Sequence, residues 1–217
     1  MRSRRPIGSP AVMAEPRQPK LIMFDFDGVI ADSLDDQCRA YARTFRAHGL
    51  GHLATCEQFV DFTEDNWFAA LAAAGVPAEV VEDVEDAISA TPVPELFPGM
   101  AEVVERLAEA HPVFVITSSR TATVERILSE HDVRGVVEVL GGDHEQSKTR
   151  KIRAVRRRIG ESLPAWYVGD TIGDMVEARA AGAVTVGAAW GWHGAERLRR
   201  AAPDHLAHTP GDLLDLF

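Results

Sequence analysis

Cysteine is scarce in this 217-residue chain: Cys38 and Cys56 are the two present, far too few for the disulfide framework of a small secreted scaffold. They read as free thiols in a reducing compartment. No run approaches the ~20 apolar residues that a membrane-spanning helix needs. The first twenty residues carry five basic side chains and one acid, with prolines and no apolar centre, which excludes a secretory signal. Residues 1–19 read as a disordered leader, with Met13 as an alternative start. These absences together place the protein in the cytoplasm, away from membranes. Positive charge is also in deficit, at a net −10, which argues against general nucleic-acid binding. The eight histidines are scattered without metal-ligand spacing, and no internal repeat or low-complexity tract is visible.

What the chain does have is apolar punctuation of two kinds. Leu21–Phe26 and Val113–Thr117 are apolar runs without alternation, broken only by Asp25 and by the closing threonine, as buried parallel strands tend to be, and Val136–Leu140, Ala165–Val168 and Val184–Gly187 are three more with strand character. Between them lie helical patterns over Met100–Ala110, Thr121–Glu130, Lys148–Ile159 and Asp174–Ala181. Alternation of this kind predicts an α/β fold: a Rossmann-like parallel sheet with helices on both faces. Residues 35–96 interrupt it with twelve acids against three arginines. In that stretch Ser33 and Asp36 form a candidate capping box, and Thr55 and Gln58 a second. Leu34, Cys38, Tyr41, Ala42 and Phe45 fall on one helical face, Trp67–Ala74 stops at Gly75, and Pro77–Ala90 ends before a Pro-Val-Pro linker. The predicted organisation is therefore a core of residues 20–33 and 97–217, with a small all-helical cap, residues 34–96, inserted after the first strand.

Ligands of open parallel sheets bind beyond the carboxyl ends of the strands, and there each strand delivers polar chemistry. The first ends in Asp25-Phe-Asp27-Gly28, the second in Thr117-Ser118-Ser119. The stretch after the third leads to Lys148, and the fourth ends in Gly169-Asp170-Thr-Ile-Gly-Asp174. Carboxylates converging in one cleft repel each other unless a cation neutralises them, and a few hard oxygen ligands suit Mg²⁺. Asp25, Asp170 and Asp174 are the natural ligands. In an extended Asp-x-Asp both side chains point the same way, so one carboxylate can attack while its neighbour handles a proton. A hydroxyl at Thr117 and an ammonium at Lys148 suit the oxygens of a transferring phosphoryl group. Each motif alone has an ordinary explanation, such as a calcium loop, a helix-dipole acid or a solvated lysine. Their joint occurrence, in order on successive strand ends, does not.

Asp25-Phe-Asp-Gly-Val-Ile-Ala-Asp-Ser, the Thr117 strand end, Lys148 and Gly169-Asp-Thr-Ile-Gly-Asp resemble the four signature motifs of the haloacid dehalogenase superfamily, over residues 21–217. Trp190-Gly-Trp-His and His208-Thr-Pro-Gly-Asp-Leu-Leu are similar to the tails of phosphoglycolate-phosphatase-like members. The resemblance implies a Mg²⁺-dependent hydrolase of a small phosphorylated metabolite, phosphoglycolate-like or a sugar phosphate. In it Asp25 attacks phosphorus and forms an aspartyl-phosphate, and Asp27 serves as general acid and then general base. The metal would sit on Asp25, the Asp27 carbonyl and Asp170, with Asp174 supporting a metal-bound water or the lysine. Thr117, the Ser118 backbone N–H and Lys148 would hold phosphate. Lys151, one turn along, is the alternative lysine. The superfamily's dehalogenases lack an acid at the position of Asp27, so its presence favours phosphatase or phosphomutase chemistry. A mutase of the β-phosphoglucomutase type shares these motifs. A signalling receiver domain would be shorter and lack both the cap and Asp27. For leaving-group recognition the expected residues are Thr63 and Asn66, in a loop between cap helices, with Arg39 and Arg43 as cap cations. The cap is expected to hinge near Asp32–Leu34 and Pro92–Pro98.

Overall fold

The most apolar runs of the chain form the middle of a parallel sheet. A computed structural model describes residues 18–217; the leader reading for residues 1–17, Met13 included, falls outside the described residues. Six strands are found among them: β1 (Leu21–Phe24), β2 (Val113–Ile116), β3 (Val136–Leu140), β4 (Ala165–Gly169), β5 (Val184–Ala188) and β6 (His205–Ala207), in the order β3-β2-β1-β4-β5-β6 with every neighbouring pair parallel. β1 and β2 are buried along their whole length because helices cover both faces, which is why they read as continuous apolar runs. Ile22 and Phe24 face one side of the sheet, with Val113, Val115 and Val168. Leu21 and Met23 face the other, with Phe114, Ile116 and Tyr167.

The helices in chain order are α1 (Leu34–Ala47), α2 (Cys56–Asp61), α3 (Trp67–Ala73), α4 (Ala78–Ser89), α5 (Met100–Ala108), α6 (Thr121–Glu130), α7 (Lys148–Ile159), α8 (Ile172–Ala180), α9 (Gly194–Arg200) and α10 (Asp212–Leu216). Helix α5 packs on the Ile22 face of the sheet, whereas Ile152 and Val155 of α7 and Ala178 of α8 pack on the Leu21 face. Helices α1–α4, with the 3-10 turn Phe62–Glu64, form the cap. It has its own core of Tyr41, Phe45, Phe59, Trp67, Leu71 and Val84. Two antiparallel linkers join it to the sheet: Asp32 N–H donates to the Glu95 carbonyl, and Phe97 N–H to that of Ile30, both at 2.9 Å. Among the described residues no helix is long and apolar enough to cross a membrane.

Three expectations change. Cys38 and Cys56 are not free thiols: α1 and the start of α2 pack so that their Cα atoms lie 5.0 Å apart, and the two are joined in a disulfide. A cysteine count carries no information on that proximity. Ser33 does sit at the N-cap of α1, but its hydroxyl makes no capping bond. It donates to Asp27 Oδ1 at 2.7 Å instead, an acceptor that only the fold brings near. Helix α8 begins at Ile172 rather than Asp174, because Thr171 is its N-cap and forms a reciprocal capping box with Asp174. The Thr55 cap behaves as expected, accepting from Gln58 N–H at 3.1 Å.

Candidate active site

The strand order turns outward on either side of β1, and at such a switch point the connections after neighbouring strands diverge and leave a crevice. Asp25 follows β1 and Asp170 follows β4, the strand hydrogen-bonded to it. Asp25, Asp170 and Asp174 are all buried and offer carboxylate oxygens within 4.8 Å of one another. Lys148, at the first position of α7, is buried between two of them, with Nζ donating to Asp25 Oδ2 at 2.7 Å and Asp174 Oδ1 at 2.6 Å. Its neighbour Lys151 points elsewhere, donating to the carbonyls of Thr117 at 2.5 Å and Gly141 at 3.1 Å. Lys148 is thus the lysine that meets the acids, and Lys151 braces the ends of β2 and β3 from below.

The three carboxylates differ in how their oxygens are occupied. Asp174 Oδ2 accepts from the N–H groups of Asp170 and Thr171 and from the Thr171 hydroxyl at 2.8 Å, while Oδ1 takes Lys148 and lies 3.2 Å from the Tyr167 hydroxyl. Asp25 Oδ1 accepts the Phe26 N–H at 2.8 Å. Asp170 Oδ2 accepts the Trp192 N–H at 2.7 Å, but its Oδ1 is buried without a partner. A buried carboxylate oxygen with no donor is costly, and a hard cation held with Asp25 would satisfy it. The residues present therefore fit a divalent metal. Backbone crowding shapes the same spot: a Cβ on Gly28, whose φ is +76°, would lie 2.1 Å from Asp170 Oδ2.

Burial pushes the Asp25 carboxyl up to about 7, with Lys148 opposing. Asp170 is raised well above the carboxylate range by burial and by the charges of Asp174 and Asp25. Burial acts on Asp174 too, but Lys148 and the Thr171 donors outweigh it and hold the group below its ordinary value. Burial of Lys148 is overcome by Asp174 and Asp25, which keep it an ammonium. Lys151, buried and beside Lys148, is depressed to about 7.

Asp27 occupies the cleft side by side with Asp25. Oδ1 accepts from Ser33 Oγ at 2.7 Å and Gln37 Nε2 at 2.5 Å, and Oδ2 from Ser119 Oγ at 2.5 Å. Burial raises it, with the Ser119 and Ser33 bonds opposing. Gln37 and Ser119 were not singled out from the sequence. Gln37 carries no motif signal, and Ser119 is an ordinary serine until the fold sets it against Asp27. Thr117 is buried, its hydroxyl accepting Ser119 N–H at 3.1 Å. Thr117 and Ser118 both line the cleft.

The cap residues divide. Thr63 and Asn66 reach the cleft, yet their side chains fasten the cap to the core. Thr63 Oγ1 lies 2.9 Å from His193 Nε2, and Asn66 Nδ2 donates to Glu177 Oε2 at 3.0 Å and the Gln146 carbonyl at 2.9 Å. His193 Nδ1 accepts the Ile172 N–H at 3.0 Å, so Nε2 carries the proton and donates to Thr63. Arg197 adds ion pairs to Asp61 and Glu64, and the Trp192 indole packs at a tilt of 46° with its centroid 5.5 Å from that of the Phe59 ring. Arg39 and Arg43 lie exposed on α1 and are not among the cleft-lining residues; Arg39 pairs with Asp36. The structure does not bring these two arginines to the acids.

Comparison with known proteins agrees with this geometry. The profile of haloacid dehalogenase-like hydrolases matches residues 22–188. A phosphoglycolate phosphatase from Synechococcus elongatus is 27% identical over 204 residues, covering 89% of this chain and 94% of its own. One from Vibrio parahaemolyticus is 26% identical over 219 residues, covering 91% and 95%. The structure of a haloacid dehalogenase-like family hydrolase from Streptococcus pneumoniae superposes with a TM-score of 0.72 at 23% identity, covering 92% of this chain and 98% of that one. With the acids, the lysine and the threonine all gathered at the switch point of the sheet, this chain belongs to the haloacid dehalogenase-like hydrolases, as a phosphatase-like enzyme of that family.

Proposed function

We propose that this enzyme hydrolyses a small phosphomonoester, with Asp25 as the nucleophile and Mg²⁺ as cofactor. The observation that carries the reading is the buried set of Asp25, Lys148, Asp170 and Asp174 beside a separately held Asp27. Asp25, Asp170 and the Asp27 carbonyl would hold the metal. Asp174, with both oxygens engaged, supports Lys148 and the turn that carries Asp170. When bound, the cation would supply charge neutralisation for the phosphoryl oxygens.

The remaining work falls to the chain's own groups. An Asp25 carboxylate oxygen attacks phosphorus in line with the leaving oxygen, forming an aspartyl-phosphate as the ester bond breaks. Asp27, whose pKa is raised by burial, holds a proton for the leaving alcohol and then takes one from the water that cleaves the acyl phosphate. Lys148 balances the charge of the transferring group, and the Thr117 hydroxyl and Ser118 N–H receive its oxygens. The closed cap excludes bulk water. The name shared by the curated relatives offers phosphoglycolate as one member of the substrate class. We also place the enzyme in the cytoplasm, where the Cys38–Cys56 bridge would be reversible.

Hydrolysis of p-nitrophenyl phosphate, with and without Mg²⁺, tests this in wild type and Asp25→Asn. Magnesium-dependent turnover lost in the variant is expected. Turnover surviving the substitution, with contaminating phosphatase excluded, would refute the assignment of the nucleophile.

A further inference from the structure

The cap's polar groups at the cleft are nearly all engaged. Gln37 is bound to Asp27, Thr63 to His193 and the Val60 carbonyl, and Asn66 to Glu177. Ser89 Oγ accepts from Thr123 at 3.0 Å. Glu85 of α4 is different. It lines the cleft half-buried, and among the described residues its carboxylate makes no hydrogen bond or ion pair. Burial raises its pKa, and the charge of nearby Arg120, offset by those of Asp143, Asp86 and Glu82, does not undo that rise.

The cations available to a leaving group are equally constrained. Lys148 is committed to Asp25 and Asp174. Arg120, the other cation lining the cleft, is ion-paired with Asp86. Glu85, Asp86 and Arg120 therefore form a group with one negative charge in excess. A carboxylate on the leaving group would meet an unpaired carboxylate and no free cation. An ammonium would meet the reverse, in a cleft that Phe59, Trp67 and Trp192 also line, and aromatic rings are favourable neighbours for a cation.

We infer that the leaving group of the natural substrate carries an ammonium and no carboxylate, and that Glu85 is the side chain that pairs with it in this aromatic-lined cleft. The inference rests on the phosphomonoesterase reading above and names the substrate class within it: phosphate esters of amino alcohols, in place of the glycolate of the relatives' name. It also accounts for a cap with twelve acids and three arginines over residues 35–96. A zwitterionic ester brings its own positive end to that acidic surface, whereas a wholly anionic one is repelled.

The test is calorimetric binding to the Asp25→Asn protein with Mg²⁺, using O-phosphoethanolamine, glycerol 3-phosphate and 2-phosphoglycolate as probes. Binding needs no turnover, so the ranking is obtained even if the wild type fails to hydrolyse p-nitrophenyl phosphate; the two readings therefore fail separately. Affinity should fall in the order given. Adding Glu85→Gln should shrink the phosphoethanolamine-to-phosphoglycolate ratio by about tenfold, since one attraction and one repulsion of exposed-pair strength disappear together. Equal or absent affinity for the three probes, or a ratio unmoved by Glu85→Gln, overturns the inference. So does tightest binding of phosphoglycolate that is lost in Arg120→Gln, since Arg120 would then have left Asp86 to take a carboxylate.

Discussion

Replacing Lys148 by methionine should leave Asp25 and Asp174 buried side by side without their shared counter-charge. Side-chain exposure at the three positions is 9%, 7% and 0%, so water cannot take the lysine's place. Removing one member of a buried ion pair costs about 3–5 kcal/mol. For a protein of this size that corresponds to a fall in Tm of about 6–20 °C. The loss should depend on pH, and its sign follows from the two acids. Asp174 is held below its ordinary value of 3.8 mainly by Lys148, against the push of burial. Its contribution to wild-type stability is present above that pH and lost as pH falls. Asp25 already sits near 7 with the lysine in place and will rise further without it, so the variant loses stability as pH climbs through that range. The Asp174 contribution is already complete at ~pH 5, so the change between pH 5 and pH 8 comes from Asp25: both proteins lose stability up to about pH 7, only the variant goes on losing it above, and the gap is wider near pH 8 than near pH 5. Urea unfolding in EDTA at the two pH values measures it, and added Mg²⁺ should recover part of the loss. A destabilisation below about 1 kcal/mol, unchanged between pH 5 and pH 8, would refute the picture of a lysine clamped between two ionised acids.

Two further outcomes are expected. Gly173→Ala adds a Cβ that would lie 2.4 Å from the Asp65 carbonyl and 2.8 Å from that of Thr63. Both are cap backbone, so the cap should fail to seat: kcat/KM should drop at least ~10-fold, while urea stability of the core holds or rises by up to about 1 kcal/mol because alanine favours the helix. Unchanged turnover would show that the cap need not dock on α8. Reducing the Cys38–Cys56 bridge, which closes a loop with a sequence separation of 18, should destabilise the cap by about 3 kcal/mol, read as earlier proteolysis between α1 and α4. Two titratable thiols in the unreduced protein would contradict the bridge itself.

The core was legible because its signals are local. A strand buried on both faces must be apolar throughout, and β1, β2 and β4 are. The acids stand where those runs stop, so Asp25, Asp27 and Asp170 could be placed before any fold was known. What escaped depends on contacts across long sequence separations. Ser119 lies 92 residues from Asp27, and His193 lies 130 from Thr63. Ser33 reads as a helix cap by its spacing to Asp36, but the turn after β1 folds Asp27, six residues upstream, back onto its hydroxyl. The choice between Lys148 and Lys151 needed the phase of α7 against the sheet, which one turn of helical spacing does not fix. The tail elements α9, β6 and α10 are short, at 7, 3 and 5 residues, and a three-residue strand carries no periodicity to read.

The donors around Asp27 come from two separate bodies. Ser119 belongs to the sheet, Gln37 rides on the first cap helix, and Ser33 stands at the joint between them. Were the cap to swing away on its paired linkers, the carboxyl would give up Gln37 and keep Ser119 and Ser33. Its Oδ1 would then be held by one donor instead of two. Under the proposed mechanism, shutting the lid would tighten the aim of the proton-handling group as well as seal the chamber, so occupancy and chemistry would be linked through a single glutamine that no signature motif contains.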